Sequence, residues 1–215
     1  IQGLERLRIS SLEPAEVRPE LIELLSEYRD KTCDHFHLPM QSGCDRILKM
    51  MRRTYDTRKY RECVELIREY FPEACIGADI IPGFPGETDK EFQETSDYIS
   101  QLNLSYLHVF PYSKRPNTAA AKMPGHLDGK VVKERAQKLR VLSQQLHRNY
   151  MSSFIGKDLS VLWEEKTNEH QQRFGLTKNY LRVLSLKDKH IAGELTACKL
   201  HGFTDGSTLL ASSLN

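Results

Sequence analysis

The sequence predicts an α/β fold: a partial parallel barrel of about four βα units, followed by a small all-β barrel. Three observations carry this. Over the first two thirds of the chain, short apolar runs alternate with segments of helical period. Each of those runs ends in small, turn-forming or hydrogen-bonding residues. Beyond Phe154-Ile155-Gly156-Lys157 the period shortens to two. The boundary is drawn so that residues 1–151 form the first domain and 152–215 the second.

The elements follow in order. Arg6 to Ser11 reads as a first strand. Pro14 suits a first helical turn, and Val17, Leu21, Leu24, Leu25 and Tyr28 recur at helical spacing. His35 to Pro39 is a second strand. Asp45 to Met50 comes next, then a helix with Tyr60, Val64, Ile67 and Phe71 on one face. Cys75 to Ile81 is a third strand. Thr88 and Glu91 have capping-box spacing and open a helix whose apolar face is Phe92, Thr95, Ile99 and Leu102. Tyr106 to Phe110 is a fourth strand. Eight such units would close a full barrel, so four make half of one. A long helix from Gly129 to Tyr150 carries Val132, Leu139, Leu142 and Leu146. In the last segment Leu159, Val161 and Trp163 alternate with polar positions, and Tyr180, Arg182 and Leu184 alternate with Leu181 and Val183. Lys187-Asp188-Lys189 and Thr204-Asp205-Gly206-Ser207 are turn signals, and four or five short strands are expected.

Composition narrows the class. Of 215 residues, 39% are apolar and 28% charged, which supports a core and argues against overall disorder. No apolar run approaches the ~20 residues of a membrane-spanning helix. The N-terminus lacks both a starting Met and the basic-then-apolar order of a signal peptide, and reads as a cut inside a domain. Cys33, Cys44, Cys63, Cys75 and Cys198 form no CxxC or CxxxCxxC set, so they are expected to be buried thiols in a reducing cytoplasm. Net charge is only +2, but residues 112–150 hold nine bases against two acids. That segment suits either phosphates or a solvated helix face.

In parallel α/β architectures the functional loops lie at the carboxyl ends of the strands. Here those loops hold Ser11 and Glu13, Gln41, Pro82 to Glu87, and Pro111 to Arg115, four segments that would share one pocket rim. The glycine-rich Pro82–Glu87 stretch precedes a helix and could hold an anion, though it has neither dinucleotide nor P-loop spacing. Asp79 lies within a buried strand and needs a partner, either a ligand or a structural anchor. His35 and His37 share one strand face. A metal-dependent barrel hydrolase using that pair is an alternative, with packed, hydrogen-bonded histidines as the default.

RLRISSLEP (6–14), HFHLPMQSGCDRILKMMRRTY (35–55), GADIIPGFPGETDKEF (77–92) and HVFPYSKRPNTAAAKM (108–123) together resemble the methylthiotransferase family of radical-SAM enzymes. The resemblance continues through GKDLSVLWEE (156–165) and GLTKNYLRV (175–183), which are similar to the family's TRAM domain, an RNA-binding, OB-like barrel. SSLEP and HVFPYSKRP are most similar to the branch acting on threonylcarbamoyl-adenosine beside the tRNA anticodon.

The resemblance implies a radical-SAM TIM-type partial barrel and replacement of the adenine C2 hydrogen by a methylthio group. It implies S-adenosyl-L-methionine and two [4Fe-4S] clusters as cofactors, and the tRNA anticodon stem-loop as partner. One cluster would cleave SAM to a deoxyadenosyl radical and the second would support the transferred sulfur. It places Ser11, Glu13, Gln41, Asp79 and the Phe110 to Tyr112 backbone near SAM, with Arg53 and Arg115 as candidates for its carboxylate or for substrate phosphate. The family's cluster-binding cysteines fall outside this sequence, so the chain alone is expected to hold no cluster and to be inactive. Pro82 stands where the family has Val. Asn117 stands where it has Gly, a mild change because Asn tolerates positive φ. A non-catalytic RNA-binding module is the other reading.

Overall fold

The computed structural model describes residues 2–186 and 190–214. Its contacts divide into two compact units. One comprises Ile9–Glu27 and Phe36–Leu146; the other comprises Ile1–Arg8, Tyr28–His35 and His147–Asn215.

In the first unit, β1 (His35–His37), β2 (Cys75–Ile80) and β3 (Tyr106–Val109) form a three-stranded sheet in that order. β2 and β3 are parallel, with Gly77 opposite Tyr106 and Asp79 opposite His108. The expected strand over Arg6 to Ser11 is absent. Leu7 makes a single bridge to Thr32, and Leu12 N–H donates to the His37 carbonyl at 3.0 Å. Leu7 is 46% exposed and Ile9 only half-buried, so this segment lacks the buried face that would hold a ladder.

Five helices pack with this sheet. α1 (Pro19–Glu27) begins at Pro19, while Pro14 lies in a turn. Val17, Ile22 and Leu25 face inward, whereas Leu24 and Tyr28 are 50% and 58% exposed, so the apolar stripe has a different phase from the expected one. α2 (Asp45–Met50) is short. α3 (Thr57–Tyr70) buries Tyr60, Cys63, Val64 and Ile67, and the Asp56 side chain caps it by accepting from Lys59 N–H at 2.7 Å. α4 (Asp89–Gln101) opens with the expected capping box, in which Thr88 and Glu91 satisfy each other's backbone N–H. α5 (Gly129–Ser152) buries Val132, Ala136 and Leu139. The core includes Phe36, Leu38, Met40, Ile76, Ile80 and Ile99, all at most 1% exposed. Each such side chain contributes about 1.5–3 kcal/mol through burial.

In the second unit, β4 (Asp158–Thr167), β5 (Arg173–Thr177), β6 (Arg182–Ser185), β7 (Leu195–Asp205) and β8 (Thr208–Ser213) close into a barrel of order β4-β5-β6-β8-β7. Only the β6–β8 pairing is parallel. Val161, Trp163, Leu181, Val183, Cys198, Leu200, Leu209 and Ala211 fill its interior. Gly175 lets the barrel close here, because a Cβ at that position would lie 2.4 Å from a Val161 methyl. The Asp205–Thr208 turn is held by Asp205 Oδ1 accepting from Ser207 N–H at 2.8 Å. The expected turn at 187–189 lies outside the described residues. The N-terminal segments belong to this unit: Arg6 donates to the carbonyls of Leu176 and Ser160 at 2.8 Å each, and the Tyr180 ring contacts both the Arg8 guanidinium and the His35 ring. Among the described residues no helix is long and apolar enough to cross a membrane.

Candidate functional site

The site lies at the carboxyl ends of the three parallel strands. Gln41, just past β1, donates its N–H to the Asp79 carbonyl at 2.8 Å and accepts from Ile81 N–H at 3.0 Å. Phe110 N–H donates to Ile80 and Tyr112 N–H to Pro82, at 2.8 and 3.0 Å. Leu12, between Ser11 and Glu13, is tied to the end of β1 through His37. The segments holding Glu13, Gln41, Gly83 and Tyr112 therefore sit together at one end of the sheet.

Backbone shape at this edge is specialised. Gln41 is 7% exposed and adopts φ 69°, a left-handed conformation that costs a non-glycine residue about 1–2 kcal/mol. It is fixed by the bonds on both of its sides. Tyr55 donates to the Pro39 carbonyl at 2.7 Å, and burial pushes its hydroxyl up to about 12. Tyr60 donates to the Leu38 carbonyl at 2.9 Å. Two tyrosines thus clamp the strand end that carries Gln41.

Pro82-Gly83 and Pro85-Gly86 form two consecutive turns, with Gly83 at φ 83° and Gly86 at φ 77°. Proline sets φ at the first central position and glycine supplies positive φ at the second, so Pro82 suits its place. Gly83 also lets α5 approach, since a Cβ there would lie 2.7 Å from a Val132 methyl. Its N–H donates to Glu87 at 2.8 Å, and Glu87 pairs with Arg135 at 2.6 Å in a nearly dry bond. Burial pushes the Glu87 carboxyl up, while Gly83 N–H and Arg135 pull it back. Arg135 also reaches Asp89 at 2.6 Å, so one buried arginine braces the turn and the start of α4. No local pattern marks this arginine as lying on the apolar stripe of α5.

The partner required by Asp79 is His37, with Nε2 2.9 Å from Oδ1. His35 is 3% exposed and packs against Tyr180, with ring centroids 4.1 Å apart. Among the described residues no three His, Cys, Asp or Glu side chains gather as metal ligands. The two histidines have separate packed and hydrogen-bonded roles, and the hydrolase alternative has no geometric support.

Beside this edge lies a cavity of about 430 Å³, within the roughly 300–1,000 Å³ typical of small-ligand sites. Its apolar lining includes Met50, Met51, Ile81, Phe84, Phe110 and Met123, with Tyr112 packed edge-on to Phe84 at 5.6 Å. Arg52, Arg53 and Arg115 also line it, and no carboxylate does. Arg53 Nε and the Tyr112 hydroxyl are buried with no hydrogen-bond partner. Four of the eight expected site residues (Arg53, Phe110, Tyr112 and Arg115) meet at this cavity. Ser11 and Glu13 are exposed at the strand edge, beside the half-buried Asp79 and buried Gln41. Arg52 and the three methionines were not foreseen. A larger open groove of about 900 Å³ beside α2 and α4 is acid-rich, and its Arg46 is already paired with Glu91.

Of the nine bases in residues 112–150, only Arg135 is buried; the rest are exposed. All five cysteines are buried free thiols.

Residues 3–99 match the Radical SAM superfamily. The chain is 37% identical over 203 residues to the threonylcarbamoyladenosine tRNA methylthiotransferase MtaB of Bacillus subtilis (strain 168), covering 93% of this chain and 45% of that protein. It is 43% identical over 162 residues to a tRNA-2-methylthio-N(6)-dimethylallyladenosine synthase of Mycobacterium sp. (strain MCS), covering 75% of this chain and 31% of that protein. The chain thus spans less than half the length of either relative. Among solved structures, the coproporphyrinogen III oxidase HemN of Escherichia coli, a radical SAM enzyme, matches with a TM-score of 0.54 at 20% identity, over 66% of this chain and 32% of that one. That likeness is one of fold.

Proposed function

The chain belongs to the radical-SAM methylthiotransferases, and from that premise we propose that it forms the SAM edge and substrate-base pocket of a tRNA-modifying enzyme. The proposed reaction is methylthiolation at C2 of N6-threonylcarbamoyladenosine beside the anticodon. The observation that carries the reading is the strand-end edge of Gln41 and Asp79 adjoining an apolar, arginine-rimmed cavity. The threonylcarbamoyl branch is supported by the relative matched over 93% of this chain.

S-adenosyl-L-methionine, when bound, supplies a hydrogen-abstracting radical and the methyl group. The residues present fit it: buried polar atoms without partners face an apolar cavity at the strand ends. We assign its binding to Ser11, Glu13, Gln41, Asp79 and the Phe110 to Tyr112 backbone, with Arg53 and Arg115 as candidates for its carboxylate or for substrate phosphate. The clamped Gln41 and the His37-held Asp79 fix polar groups in place before binding, and the apolar lining excludes water. No such fit exists for an iron–sulfur cluster. The cysteines are buried, and no ligand set gathers among the described residues. We therefore assign no cluster ligand to this chain and expect it to be inactive alone.

We further propose that residues 1–151 are the C-terminal portion of the radical-SAM barrel and that 152–215 form a TRAM domain, acting in the cytoplasm. The five-stranded closed barrel suits an OB-like fold. Phe174 lies against Arg182 at 4.4 Å and Lys166 at 5.6 Å, an arrangement suited to stacking on a base beside a phosphate. On the other unit, the exposed bases of residues 112–146 suit the phosphates of an anticodon stem-loop. Binding should weaken steeply with salt; salt-independent binding would count against the RNA reading.

The test of function is complementation. The full-length enzyme containing this chain should restore methylthio-threonylcarbamoyladenosine to the tRNA of cells lacking it, read by nucleoside mass spectrometry. Asp79→Asn should lower the product about a hundredfold by misplacing the bound groups. Methylthiolation of dimethylallyladenosine instead would overturn the branch assignment, and absence of either product would overturn the reaction.

A further inference from the structure

Three side chains on one face of α5 grip the sheet and its strand-end loops. Val132 fills the space that a Cβ on Gly83 would need, with a methyl 2.7 Å from that position. The Ser143 hydroxyl accepts from Leu107 N–H at 2.9 Å and donates to the Leu107 carbonyl at 3.0 Å, which ties α5 to β3. Between them, Arg135 donates through Nη1 to the Glu87 carboxylate at 2.6 Å and to the Glu87 carbonyl at 3.1 Å. Its Nη2 donates to Asp89 at 2.6 Å.

Packing explains the valine but not the arginine. Arg135 and Glu87 are both buried, and the guanidinium lies 5.3 Å from the centre of the Phe92 ring. Burying such a pair costs desolvation, and apolar residues of similar volume often match its stability. What the pair holds supplies a different reason. Glu87 accepts from Gly83 N–H at 2.8 Å and so fixes the Pro82-Gly83 turn. That turn anchors both neighbouring segments: Tyr112 N–H donates to the Pro82 carbonyl, and Ile81 N–H to the Gln41 carbonyl, each at 3.0 Å. A shift of the turn would carry Gln41 and the Phe110 to Tyr112 backbone with it.

We propose that Arg135 is a positioning residue for S-adenosyl-L-methionine: through Glu87 it sets the turn that aligns Gln41 with Tyr112, while touching neither cofactor nor substrate itself. This rests on the SAM assignment above and adds what holds that edge in shape before binding.

The test uses the full-length, cluster-loaded enzyme. SAM affinity would be read by equilibrium dialysis, affinity for an anticodon stem-loop RNA by fluorescence anisotropy, and stability by urea unfolding. Arg135→Met should weaken SAM binding about ten- to a hundredfold, the scale on which a small misplacement counts. RNA affinity, set mainly by phosphate contacts, should stay unchanged. Hydrogen exchange without SAM should quicken at residues 83–87. Arg135→Lys keeps the charge but not the fork, and should recover part of the affinity. Glu87→Gln keeps an acceptor for Gly83 N–H without the charge. Combined with Arg135→Met it leaves no unpaired buried charge, so the double variant should unfold near the wild-type urea concentration. Its loss of SAM affinity should not exceed that of Arg135→Met alone, because both changes act through one contact. A stable double variant that binds SAM as tightly as the wild type would overturn the positioning role. So would additive losses from the two substitutions. A wild type that binds no SAM would instead overturn the cofactor reading beneath it.

Discussion

At the scale of single residues, the site is set by side chains held in costly places. Arg52 at φ 58° is the clearest stability test. Arg52→Gly should raise stability by about 0.5–1 kcal/mol in urea unfolding, because glycine carries no Cβ penalty at a left-handed helix end. An unchanged or lower stability would show that the arginine compensates through contacts of its own. Some of this scale is legible beforehand. Asn117 adopts the positive φ that its side chain tolerates, and the two Pro-Gly pairs turn as their residue types require. Asp79 announces its need for a partner, but His37 as that partner depends on strand register, which no local pattern reveals. The left-handed backbone of Arg52 and Gln41 is invisible in the sequence because neither residue type signals it.

At the scale of elements, α4 and its cap bear most directly on the site. Thr88→Ala should cost about 1 kcal/mol by leaving the Glu91 N–H unsatisfied, read by thermal unfolding. Glu91 adds a pH dependence. The hydrogen bond from Arg46 holds its carboxyl at about 2, below the roughly 4.3 of an unfolded chain. A depressed folded value stabilises above the unfolded one, so this contribution is complete above about pH 4.3 and is lost as pH falls towards 2. Glu91→Gln should flatten the unfolding midpoint over that window; an unchanged acid limb would contradict the pairing. The capping box was readable because it depends on spacing alone. The start of α1 was not, since Pro14 and Pro19 both suit a first helical position. The strand expected at Arg6 to Ser11 failed because alternation there is not matched by burial.

At the scale of the whole chain, the βα order and the change to period two were legible, since each is written locally. The attachment of the N-terminal segments to the barrel unit was not, because Arg6 meets Ser160 and Leu176 across more than 150 residues of sequence. Arg6→Ala should lower barrel stability by about 1–2 kcal/mol. Hydrogen exchange should rise in β4 and β5 while β2 and β3 stay protected; unchanged exchange in the barrel would refute that role. The convergence of strand ends on one edge follows from parallel topology, and the functional reading depends on it. Its most direct test is hydrogen–deuterium exchange of the full-length, cluster-loaded enzyme with and without S-adenosyl-L-methionine. Protection should appear at residues 11–13, 39–43, 79–84 and 109–113. Protection confined to the opposite strand ends near 72–75 and 103–105, or to the groove beside α2 and α4, would contradict the assignment.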